Sequence, residues 1–142
     1  MKLRNTILFV LLFVAASINA QTLTVEITNI RNNKGKILLA VFKNNDSFKK
    51  EEPFLEKSYH KKSLKTGKIT VKIQLEQGTY GITILDDENN DGKMKYNLIR
   101  IPKEGYGFSN YFHTGISRPK LDNFKFIVGD KDKTVHVKMK YF

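Results

Sequence analysis

Asp87, Asn89 and Asp91 alternate along the chain and Gly92 follows at once, an arrangement of hard oxygen donors suited to a divalent cation. These residues match the opening of the D-x-D/N-x-D/N-G calcium loop. In that loop alternate side chains converge on one ion, and the glycine makes the sharp turn that aims the next carbonyl, here that of Lys93, inward. The match stops where an EF-hand would supply its bidentate glutamate, a position held here by Leu98. A β-rich scaffold can complete such a half-loop from elsewhere, and Asn97 or Glu104 is close enough in sequence to do so. The competing reading is an Asx-rich turn, in which the Asn and Asp side chains cap main-chain groups and Gly92 supplies a positive φ.

A second candidate follows directly. Residues 101–112, IPKEGYGFSNYF, interleave glycines with aromatic rings. Tyr106, Phe108, Ser109, Asn110 and Tyr111 together offer rings, a hydroxyl and an amide that would suit a sugar ring or a peptide. Alternatively the rings bury themselves to fasten a long loop to the core, while the glycines permit close turns. Tyr106 is the first ring to suspect of ligand contact, because its hydroxyl tolerates water.

Catalytic arrangements are scarce. The chain has no cysteine, so a thiol nucleophile is excluded, and Ser109 lies in no G-x-S-x-G elbow. His60, His113 and His136 are isolated from one another, and His136 alternates with Val135 and Val137 as on the outer face of a sheet. Asp86, Asp87, Glu88 and Asp91 could pair for glycoside hydrolysis, but carboxylates crowded into one turn serve a cation better than an acid and a base with separated pKa values. An enzyme acting on cell-surface glycans is therefore the third reading.

The elements that must position these residues are strands. Alternation of apolar and polar residues marks LTVEI at 23–27, ITVKIQL at 69–75, YGITI at 80–84, FKFIV at 124–128 and VHVKMKY at 135–141. The more continuous apolar run at 37–42 reads as an inner strand. Turn residues separate them at 32–35, 65–68, 76–78 and 129–132. These spacings predict an all-β antiparallel sandwich of about seven strands with one long ordered loop. Residues 46–57 suit at most a short turn of helix. Residues 87–122 form one long loop, ordered by its glycines and rings, with a hairpin piece around 96–101.

Lys2 and Arg4 precede an apolar run at 7–16 and a small-residue end at 17–20, the layout of a secretory signal peptide. The expectation is a leader over residues 1–20 and a single domain over 21–142, exported to the periplasm or secreted. No later stretch reaches the roughly 20 apolar residues of a membrane span. The formal net charge is +11, which raises nucleic-acid binding as a reading. The lysines nevertheless recur at every second position of strand-like segments, which describes the solvated face of a sheet. The partners expected are extracellular polysaccharide or a cell-envelope protein, not nucleic acid.

The run Leu75, Gly78, Tyr80, Ile82, then Asp86, Asp87, Glu88, Asn89, Asp91, Gly92, Lys93, Met94, then Ile101, Pro102, Glu104, Gly105, Tyr106, Gly107, Phe108, Ser109, Asn110 resembles the DUF2141 family of uncharacterised exported bacterial proteins, frequent in Bacteroidetes. The likeness spans residues 23–141. Where that family usually reads H-D-E-N-x-N-G-K-L-D-x-N, this chain has Asp86 for the His, Asp91 for an Asn and Lys95 for the second Asp. The corner formed by Leu75, Gly78 and Tyr80 is similar to that of prealbumin-like sandwiches, so the resemblance implies a prealbumin-like or Ig-like sandwich fold, and it names no activity. The expectation is a non-catalytic binding or accessory protein with a Ca²⁺ loop formed by Asp87, Asn89, Asp91, Lys93 and Asn97. The alternative is a purely structural domain with a self-packed loop.

Overall fold

A computed structural model describes residues 19–142; the expected leader, apart from its last two positions, lies outside the described residues. The eight strands are β1 (Gln21–Thr28), β2 (Lys36–Phe42), β3 (Leu55–His60), β4 (Ile69–Leu75), β5 (Gly78–Asp87), β6 (Gly105–Phe108), β7 (Lys125–Val128) and β8 (Lys133–Lys138). Two short helices, α1 (Asn45–Lys50) and α2 (Leu121–Phe124), lie between them.

One sheet runs β4-β1-β8 and the other β3-β2-β5, with β6 and β7 both on the far edge of β5. All pairings are antiparallel except β1 with β8. Alternation does the sorting: Ile69, Val71, Ile73 and Leu75 of β4 are buried while Thr70, Lys72 and Gln74 face solvent. The same rule turns Leu23, Val25 and Ile27, Ile37, Leu39 and Val41, Ile82 and Ile84, and Val135 and Val137 into one core between the sheets. The alternating lysines thus lie on a solvated face, and His136 is exposed and pairs with Glu26 at 3.0 Å.

A second apolar cluster, Phe42, Phe48, Phe108, Leu121 and Phe124, packs the helices onto the outer face of the β2-β5 sheet. Helix α1 starts where Asn44 accepts the Ser47 N–H at 2.8 Å and ends at Glu51 in the left-handed conformation. Residues 87–122 are not one continuous loop, because β6 interrupts them. The hairpin expected around 96–101 is reduced to a single bridge between Tyr96 and Pro102, closed by the Asn97 N–H to Ile101 carbonyl bond of 2.9 Å.

Because β5 is ten residues long, it serves two partners on one edge: β7 along Gly78–Gly81 and β6 along Thr83–Asp86. Ser109 fills the seam between them. Its N–H donates to the Ile82 carbonyl at 3.0 Å, its Oγ accepts the Ile82 N–H at 3.0 Å and donates to the Phe124 carbonyl at 2.7 Å. Among the described residues no helix is long and apolar enough to cross a membrane.

Candidate metal centre

Asp86 and Asp87 end β5, and strand alternation sends their side chains to opposite faces. Both are fully buried. Asp87 turns toward the loop that follows. Its Oδ1 accepts the Asp91 N–H at 3.1 Å and its Oδ2 the Gly92 N–H at 2.9 Å. Asn89 Oδ1 accepts the Asp91 N–H at 3.0 Å, and Asp91 Oδ1 accepts the Lys93 N–H at 2.9 Å. Gly92, at φ +75°, supplies the left-handed residue that this winding needs. The turn is therefore organised by Asx hydrogen bonds, each of which uses one acceptor site of a side chain that has several.

The chain then returns. The Tyr96 to Pro102 bridge and the Lys103 N–H to Lys95 carbonyl bond of 2.8 Å bring Glu104 back against the turn, one residue before β6. Asp87, Asp91 and Glu104 each place a carboxylate oxygen within 4.8 Å of the other two. Glu104 is 5% exposed, and neither of its oxygens has a hydrogen-bond partner. Burial pushes its carboxyl above the ordinary range, and the charges of Asp87 and Asp91 push the same way. The Lys95 main-chain amide opposes this only in part, lying outside hydrogen-bonding geometry to either oxygen. Lys95 caps the cluster from solvent with its ammonium 2.7 Å from Asp91 Oδ2, which holds the Asp91 carboxyl below its usual range. Lys36, opposite Asp87 in the ladder, adds a weaker contact at 3.8 Å.

Of the sequence-predicted ligands, Asp87 and Asp91 are brought together with Glu104. Asn89 stands in the same turn, and Lys93 follows the glycine as expected. Asn97 organises the next turn, its Oδ1 accepting the Ile99 and Ile101 N–H groups at 3.0 and 2.9 Å.

The expected ligand surface divides. Ser109 is fully buried and spent on the β5 seam, so it is not available to a ligand. Asn110 pairs with β8, its N–H donating to the His136 carbonyl at 2.7 Å and its Oδ1 accepting the His136 N–H at 2.9 Å. Phe108 is buried against Phe124 with centroids 4.9 Å apart, while Tyr106 and Tyr111 pack against its ring. Tyr106 and Phe108 nevertheless show an edge to a groove of about 550 Å³ on the outer face of the β2-β5 sheet, floored by Leu38, Ala40 and Leu85. Gly92, Met94 and Tyr96, from the acidic turn and its return, line the same groove.

Asp86 belongs to a different site, at the end of the core. It contacts the Lys61 ammonium and accepts the Tyr141 hydroxyl at 2.7 Å. Tyr141 can approach because Gly105 stands opposite Asp86 in the ladder: a Cβ on that glycine would lie 2.2 Å from the tyrosine ring. Burial raises the Asp86 carboxyl, against the pull of Lys61 and Tyr141, and burial also raises the Tyr141 hydroxyl. Around this pair, Arg31 forks onto Glu88 at 2.6 and 3.0 Å and Asn32 donates to the same carboxylate at 3.0 Å. Glu88 is held below its ordinary range by the Arg31 bond. Lys61 carries no local motif that sets it apart from the other lysines, so sequence reading passed over it.

No curated protein and no solved structure matches the chain significantly. The family described as "Uncharacterized protein conserved in bacteria (DUF2141)" matches residues 25–136, from the second buried position of β1 to the middle of β8. With β2 to β7, the acidic turn and the glycine-aromatic run all inside that span, the chain belongs to the DUF2141 family.

Proposed function

We propose that this protein is a non-catalytic calcium-binding β-sandwich, an exported binding or accessory protein of the cell envelope. Asp87, Asp91 and Glu104 provide carboxylates, Asn89 a side-chain oxygen and Lys93 its carbonyl. Ca²⁺ takes six to eight oxygens in loose geometry, so a few waters complete the shell.

One observation carries the reading. An Asx-rich turn accounts for Asp87, Asn89 and Asp91, whose oxygens accept main-chain N–H groups, but it does not account for Glu104. A buried carboxylate without a hydrogen bond, facing two further carboxylates, is costly on its own. A divalent cation offsets that cost by placing two positive charges among the three carboxylates. The basic character of the whole chain makes a local concentration of negative charge more pointed.

The neighbouring groove supplies the binding role. Metal would fix the 87–104 segment, which forms one wall of the groove, against the sheet that forms its floor. Rings at Tyr96, Tyr106 and Phe108 suit the apolar face of a sugar or a peptide side chain, consistent with polysaccharide or an envelope protein as partner.

Thermal melting in chelator and then across a calcium titration, with magnesium as control, tests the proposal. Binding to the native state alone must raise the melting temperature, by an amount worth about 2.7 kcal/mol at a hundredfold excess over Kd. Magnesium should act weakly, since it demands stricter octahedral geometry. A melting temperature indifferent to calcium would reduce the site to an Asx-rich turn.

A further inference from the structure

We infer that Lys61 and Asp86 form an intramolecular isopeptide bond, an amide joining the lysine Nζ to the aspartate Cγ at the end of the sandwich core. The inference is independent of calcium binding.

Placement is the first ground. Lys61 opens the short 3-10 turn after β3, immediately beyond His60, which lies opposite Lys36 of β2. Asp86 lies opposite Ile37 on the other side of β2. The lysine side chain therefore reaches across the start of β2 to the inner face, where both side chains have no exposure to solvent. A primary amine and a carboxyl are held together in a dry site, which is the condition under which water, once released, does not return to reverse an amide.

The second ground is the direct contact of the two groups and the donor beside them. Lys61 Nζ is in contact with Asp86 Oδ1, yet that oxygen has no hydrogen bond. The contact is thus a direct one between amine and carboxyl that no directed hydrogen bond holds in place. The amine's directed hydrogen bond goes instead to the Asn32 carbonyl at 3.2 Å. The other carboxyl oxygen, Oδ2, accepts the Tyr141 hydroxyl at 2.7 Å, which places a donor where negative charge develops during attack.

The reaction balances without a co-reactant. A proton passes from the lysine ammonium to the aspartate carboxylate, leaving a neutral amine and a neutral acid. The nitrogen lone pair adds to Cγ, and the Oδ2 oxyanion is held by Tyr141. Oδ1 departs as hydroxide together with a proton from the nitrogen, so one water is lost, one C–O bond breaks and one C–N bond forms. Nothing is oxidised or reduced. The product replaces a buried ion pair, whose desolvation is costly, with a neutral amide. It also ties the β3 end to β5 in a chain that has no cysteine and so no disulfide to do so.

Peptide mapping of the purified, fully denatured protein by tandem mass spectrometry tests the bond. The expected result is a branched peptide joining the segments around Lys61 and Asp86, one water lighter than the sum of its parts, absent in Lys61→Met and in Asp86→Ala. Tyr141→Phe, which keeps the ring on Gly105, should leave a measurable fraction unlinked. Because each variant could misfold, the wild-type map decides: separate linear peptides containing unmodified Lys61 and Asp86 would overturn the inference and leave a buried ion pair.

Discussion

The Tyr141 hydroxyl donates to Asp86 across the seam between the C-terminal segment and β5, at 2.7 Å, over a glycine that leaves room for the ring. Tyr141→Phe removes the donor and keeps the packing. It should cost about 1–3 kcal/mol, the penalty for leaving the buried Asp86 Oδ2 without its partner. Urea unfolding of the two proteins measures it; an unchanged midpoint would mean the bond contributes nothing.

Glu104→Gln is expected to act in opposite directions with and without metal. In chelator it removes a buried charge that has no partner and should stabilise the fold by about 1 kcal/mol or more. In calcium it should lose most of the metal-induced rise in melting temperature. A variant destabilised in chelator would contradict this account of the site.

The pH dependence of the metal-free protein follows from the same residue. The folded carboxyl of Glu104 titrates above its unfolded value, so the folded state holds the proton more tightly. Its contribution to stability is complete below the unfolded pKa and is lost as pH rises through the folded one. Wild type should therefore lose stability relative to Glu104→Gln on going from acid through the upper carboxylate range. Parallel melting curves for the two proteins across that window would contradict the assignment.

Lys95 stands where a cation would compete with it, its ammonium on Asp91 Oδ2. Lys95→Met should tighten calcium binding several-fold and make it more sensitive to ionic strength, because the metal then meets a more negative site with no resident ammonium on Asp91 to displace. Calcium titrations at low and moderate salt read both effects. Weaker binding in the variant would show that the lysine supports the site.

Ser109→Ala should unfold more easily than any exposed substitution in the same segment. It leaves the Ile82 N–H and the Phe124 carbonyl without their side-chain partner at the junction of β5, β6 and β7. Each orphaned group costs about 1–3 kcal/mol. Urea denaturation would reveal the loss.

The strands most legible in the sequence were those with one dry face. β1, β4, β5 and β8 alternate because a core lies on one side of them, and period-two patterning records that fact. β3 escaped because its LEKSYH sequence has no fully buried residue, as befits an edge. β6 escaped for the opposite reason: its glycines weaken any strand signal, and they are needed because Tyr141 and Val137 pack against Gly105 and Gly107. The acidic turn was readable because its oxygen-bearing side chains are local in the sequence. Choosing between Asn97 and Glu104 required the return of the chain, which the Tyr96 to Pro102 bridge provides. The Lys61 to Asp86 contact joins the turn after β3 to the end of β5, and no local spacing encodes it.

The most direct test of the calcium site is isothermal titration of chelator-treated protein with Ca²⁺, wild type beside Glu104→Gln. The account predicts one saturable site in the wild type, competed poorly by Mg²⁺, and a loss of at least tenfold in affinity, about 1.4 kcal/mol, in the variant. A wild type that takes up no calcium, or a variant that binds it equally well, would contradict the account.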